Sequence, residues 1–163
     1  MNVVLRGLGR GAAAGAAGTT ALNAATYVDM AVRGRGTSSA PEDVVEKTAH
    51  KAGLDIPGAG NTRDNRLSGL GPLSGIAVGT AVGAIAGAVR SLLGSRLNPT
   101  ARFAVTAVVS GAAAMSLADI PMKALGISNP TDWRVQDWAA DAIPHLAYGV
   151  VTAATLTATE QRR

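Results

Sequence analysis

Glycines at positions 71, 75, 79, 83 and 87 recur every fourth residue within a run, Leu67 to Val89, that carries no charged side chain. As a helix the run spans roughly 34 Å, enough to cross a bilayer core of about 30 Å. In water each glycine would weaken such a helix by up to ~1 kcal/mol relative to alanine. In lipid the same spacing makes a flat ridge on which a second helix can approach backbone to backbone. The ridge of Gly71, Gly75, Gly79, Gly83 and Gly87 therefore reads as a packing device rather than a catalytic feature.

Composition points the same way. Aromatic residues make up 3% of the chain and charged residues 16%, and alanine and glycine dominate the apolar fraction. A soluble core of this size leans on larger side chains, because small ones bury little area each. Membrane bundles are held instead by close contact between small residues. The absence of cysteine excludes disulfides, thiolate-bound zinc, iron–sulfur clusters and thiol chemistry. A net charge of +4, dispersed and without aromatic interleaving, gives no basis for nucleic-acid binding. The Ala/Gly/Arg-rich usage suits a high-GC bacterial genome.

Four low-charge stretches predict an all-α, four-helix transmembrane bundle, with spans over 11–30, 67–89, 103–122 and 142–159. The first carries Gly7, Gly11, Gly15 and Gly18 in helical register, which makes it a natural partner for the second. Its apolar stretch outruns a signal-peptide core and shows no convincing cleavage site before Asn23, so it reads as a span. Between these two spans, Ser38-Ser39-Ala40-Pro41-Glu42-Asp43 has the chemistry of a helix start. An amphipathic helix over 40–53 is expected there, lying on the membrane surface or over the bundle. Asp43/Lys47 and Glu46/His50 would be ion pairs along it. Trp133 and Trp138 precede the fourth span, where they suit either interfacial anchoring or ordinary tertiary packing.

The Lys/Arg balance barely orients the bundle. Seven fall on the face with the termini and eight on the other, counted from the sequence. Most acids lie on the second face, which leaves a mild preference for cytoplasmic termini in a bacterial inner membrane.

Chemistry, if any, would sit in a polar layer. Measured from Arg10, Arg102 and Arg162 at one interface, Asp29, Asp119 and His145 all reach the opposite one, roughly 26–28 Å away at 1.5 Å per residue. Tyr148 lies one turn deeper. Two carboxylates and an imidazole could bind a cation or relay a proton. Each also has a local answer, because Asp29/Arg33, Asp119/Lys123 and Asp141/His145 are acid-first i,i+4 pairs. No metal site, cofactor or catalytic residue is expected: Gly7-x-Gly9-x-Gly11 lacks a preceding strand, and no Walker, nucleophile-elbow or His-Glu-x-x-His motif occurs.

Two segments resemble a known family. Gly11-Ala-Ala-Ala-Gly-Ala-Ala-Gly-Thr-Thr20 and His145-Leu-Ala-Tyr-Gly149 resemble the opening and closing spans of YagU-like small bacterial inner-membrane proteins. That resemblance implies a multi-span plasma-membrane protein with no assigned reaction, and it carries over no functional residues. The leading expectation is thus a non-enzymatic integral membrane protein of structural or accessory role. Its partners would be the bilayer and either itself or another membrane protein, engaged through the glycine faces, Gly11 and Gly15 included. The alternatives are a small transporter or proton/cation conduit using Asp29, Asp119 and His145, and a soluble or peripheral helical protein.

Overall fold

A computed structural model describes residues 2–93 and 96–161. Those residues form five α-helices and one turn of 3-10 helix, with no strand among them. The helices are α1 (Val3–Arg33), α2 (Ala40–Lys51), α3 (Asn61–Leu93), α4 (Pro99–Ala124) and α5 (Val135–Gln161). The 3-10 turn, Pro130–Asp132, precedes α5.

Local chemistry sets the ends. Asn2 opens α1 by accepting a hydrogen bond from the Val4 N–H at 3.0 Å, and Gly34 closes it at φ +63°, the left-handed conformation that favours glycine. Asn98 caps α4 through the Ala101 N–H at 2.8 Å, with Pro99 supplying the preset first-turn geometry. At α2 the expected serine cap is rearranged. Ser38 Oγ accepts from the Ala40 N–H, while the Ser39 hydroxyl donates to the Asp43 carboxylate.

The four long helices run alternately up and down. α1 packs between α3 and α5, α5 also packs on α4, and α3 meets α4 more loosely than these pairs meet. The closest approach is α1 on α3. A Cβ on Gly11 would fall 2.8 Å from Ala84 Cα, one on Gly87 would fall 2.7 Å from Gly11 Cα, and one on Gly83 would meet the backbone of Gly11 and Gly15. Gly7, Gly11 and Gly15 therefore face Gly87, Gly83 and Gly79 in antiparallel register. A second seam joins α4 to α5, where a Cβ on Gly111 would lie 2.8 Å from the His145 carbonyl and one on Gly149 would lie 3.0 Å from Gly111 N.

The ridge does not act as one strip. Gly79, Gly83 and Gly87 serve α1, Gly71 instead receives Pro41 and Glu42 of α2, and Gly75 has open space where its Cβ would be. The reason is helical geometry. Four residues turn about 400°, so each step drifts about 40° and a five-step ridge winds off any one partner. α2 accordingly lies over the bundle, mainly against α3. Neither expected ion pair along α2 forms among the described residues. Glu46 pairs with Arg63 at the start of α3, and the Lys47 ammonium donates to the Leu125 carbonyl at 3.1 Å. Partners across the bundle win over partners along the helix.

The span count also differs from expectation. By length and composition two helices, α3 and α4, are long and apolar enough to cross a membrane. α1 and α5 fall short because threonines, Asn23, His145 and the glycines dilute them. Many of those polar groups are turned inward and satisfied. Thr19 Oγ1 donates to the Gly15 carbonyl at 2.9 Å, and Tyr148, wholly buried, donates to the Gly79 carbonyl at 2.7 Å.

The distribution of side-chain size is inverted relative to a water-soluble bundle. The interior holds Ala14, Ala107, Ala114, Ala153, the facing glycines, Thr152 and Ser110, with Tyr148 and Leu156 its largest fully buried apolar members. The exterior holds the large aliphatics: Ile85 is 61% exposed, Val108 62%, Ile120 65% and Ile143 61%.

Candidate functional site

The two ends of the bundle carry two different polar clusters. At the end where α4 stops and α5 begins, the register that sets Gly111 against Gly149 brings Asp119 opposite Asp141, one turn before His145. His145 Nδ1 lies 3.3 Å from Asp141 Oδ1 and 2.9 Å from the Asp141 carbonyl. Asp119 is 9% exposed, and its charge acts on both Asp141 and His145. Asp119 Oδ1 and Asp141 Oδ2 are buried with no hydrogen-bond partner among the described residues. Pro121 and Pro144 interrupt the same two helices. Each lacks the N–H that would engage the carbonyl four residues earlier, so the Leu117 and Ala140 carbonyls lose that bond.

Two of the four expected layer residues, Asp29 and Tyr148, behave differently from the reading by depth. Asp29 does not join the cluster, because Arg33 holds it at 3.5 Å and Arg35 at 2.5 Å. Asp119 makes no ion pair with Lys123: α4 turns the carboxylate toward α5 and leaves the lysine exposed. Tyr148 is a strut, since its hydroxyl is committed to α3. Equal depth places residues at one level but does not turn them to one point. What converges is Asp119, Asp141 and His145, two carboxylates and an imidazole able to exchange a proton or attract a small cation. Among the described residues no group of three or more His, Cys, Asp or Glu side chains is placed to hold a metal ion.

The opposite end holds a cluster that span reading overlooked. Arg90, the first charged residue after the run from Leu67 to Val89, is 6% exposed. Its Nη2 and Nε donate to Glu160 at 2.8 and 3.2 Å, and further bonds reach Thr106 Oγ1 at 3.1 Å and Thr157 Oγ1 at 3.3 Å. Arg102 approaches the same carboxylate at 3.5 Å. The signal was present in the spacing: position 90 lies three residues past Gly87, on the face that packs inward. The arrangement ties α3, α4 and α5 together at their common end.

Near Trp133 the indole donates to Ser128 Oγ at 2.8 Å, and the ring meets Trp138 edge-on with centroids 5.1 Å apart. The two tryptophans thus pack on each other while Trp138 stays 42% exposed. Compared with protein-family models, with curated proteins and with solved structures, the chain matches none.

Proposed function

We propose that this chain is a non-enzymatic integral membrane protein with four spans, a structural or accessory component of a bacterial inner membrane, of the YagU-like kind. The observation that carries the reading is the inverted packing. Glycine, alanine and threonine fill the helix contacts, while Ile85, Val108, Ile120 and Ile143 face outward. In water, apolar surface on this scale drives association. In lipid it costs nothing, and close contact between small residues becomes the main adhesive force. α1 and α5 cross as the less apolar spans because they give much of their surface to neighbours rather than to lipid.

Alkaline carbonate washing is the first test. The chain is expected to stay in the membrane pellet, and release into the supernatant would return it to the peripheral class. A cysteine-free chain also suits labelling of single introduced cysteines. With four spans, Asn2→Cys and Leu97→Cys react from one side of the membrane, and Thr37→Cys and Ser128→Cys react from the other. Reaction of Asn2→Cys on the Thr37→Cys side would remove α1 from the spans.

A second reading, a proton or cation conduit, is favoured by one observation: the unpartnered carboxylate oxygens of Asp119 and Asp141 beside His145. Its residue set is Asp119, Asp141 and His145, without Asp29. The structural role predicts that proteoliposomes containing the protein leak protons no faster than protein-free vesicles. A flux that drops tenfold or more in Asp119→Asn and in His145→Gln would transfer the assignment to the conduit.

A further inference from the structure

Where α3 and α4 diverge at the Arg90 end, a cleft of about 350 Å³ opens between them. Its walls are aliphatic, with Val89 and Leu93 from α3 facing Val105 and Val109 from α4. Each of these four is between 44% and 59% exposed, so the cleft opens sideways from the bundle. Arg90 forms part of its base, and Arg96 and Arg102 also line it.

The charge there is unbalanced. Among the described residues three arginines line the cleft, and the one carboxylate that reaches them, Glu160, leaves two positive charges in excess. Glu160 is engaged chiefly by Arg90, whose Nη2 lies 2.8 Å from it against 3.5 Å for Arg102. Arg102 moreover has its Nε buried without a hydrogen-bond partner among the described residues. The Arg102 side chain as a whole is 28% exposed, so the remainder of its guanidinium is open to an anionic acceptor. On the four-span reading, Arg90 and Arg102 mark the interface, and Val105 and Val109 lie one to two turns into the hydrocarbon.

We propose that this cleft binds one anionic phospholipid, its phosphate between Arg96 and Arg102 and an acyl chain along the groove between α3 and α4. Basic sites between spans at a membrane face are suited to such headgroups, and guanidinium groups pair with phosphate through two parallel bonds. The groove admits the chain because α3 meets α4 more loosely than α1 meets α3 and α5, or α5 meets α4. The proposal rests on the membrane reading above.

Native mass spectrometry of the full chain in detergent tests it, with palmitoyl-oleoyl phosphatidylglycerol titrated against the phosphatidylcholine of the same chains. The wild type is expected to hold one phosphatidylglycerol at a concentration at least tenfold lower than phosphatidylcholine. R96Q/R102Q is expected to shrink that preference to under twofold, and Val105→Trp to weaken retention of both lipids about fivefold by filling the groove. Should the double variant misfold, Arg96→Gln alone, at an exposed side chain, is expected to lower the preference about threefold. A preference that survives the arginine changes overturns the site, as does retention unchanged by Val105→Trp. Displacement of the lipid by millimolar glycerol phosphate would assign the arginines to free phosphate and overturn the lipid. A carbonate wash separates the two failures. A released chain overturns the membrane reading itself, whereas a pelleted chain without preference overturns only the lipid site.

Discussion

Gly83→Leu is expected to lower the stability of the detergent-solubilised protein by about 3 kcal/mol, the upper end for an overpacked core. The magnitude follows from what the new side chain meets. Gly83 faces the Gly11 carbonyl and the Gly15 backbone, and a Cβ alone would lie 2.5 Å from Gly15 N. A rotamer change can relieve a clash with a side chain but not one with backbone, so α1 and α3 must move apart. Leucine recovers up to ~1 kcal/mol of helix propensity, which the lost contact outweighs. Gly75→Ala is the internal control. Its Cβ would meet nothing within 4 Å, so it keeps the propensity gain and stabilises by about 0.5–1 kcal/mol. Thermal denaturation followed by circular dichroism measures both. Equal effects at Gly83 and Gly75 would mean that the glycine contact does not hold the bundle.

Glu160→Gln is expected to cost about 3 kcal/mol, the lower end for breaking a buried ion pair, because Glu160 keeps some contact with solvent. The side chain of Arg90 is 5% exposed and that of Glu160 24%. With the carboxylate gone, Arg90 keeps the Thr106 and Thr157 hydroxyls and a neutral amide acceptor, but remains a buried charge without a counterion. Replacing both partners, as R90M/E160M, removes the charge together with its counterion. It should regain most of the loss, since an apolar pair of similar volume is near neutral. Chemical denaturation of the wild type and the two variants completes the comparison. A double variant as unstable as Glu160→Gln would show that the arginine itself, and not its pairing, secures the three helices.

The helices were legible in the sequence because their signals are local. Asn98-Pro99, Gly34, the Ser-Pro-Glu-Asp start of α2 and the charge-free runs each act within a few residues. The tendency of α1 to meet α3 was legible too, from glycines in register on both. Of the three acid-first pairs inferred from spacing, Asp29/Arg33 and Asp141/His145 form and Asp119/Lys123 does not; what failed was joining helices by depth alone. Asp29, Asp119 and His145 share a level, yet Asp29 is held by two arginines of its own segment. Lys123 was assigned to Asp119 on spacing, but Asp119 belongs to the α4–α5 seam. Arg90 ends a charge-free run, where sequence alone suggests a solvated base, yet it lies inside.

Residue order alone determined that this chain is helical, small-residue-rich and divided into four long segments, because propensity, capping and composition operate along the backbone. Tertiary structure decided which glycines serve as contacts, which acid faces the Asp141/His145 pair from the next helix and which arginine is buried. Those outcomes depend on the rotation of each helix about its axis. A rotation of about 100° per residue moves a side chain from partner to solvent without altering its depth, and only the packing of the whole bundle chooses the angle.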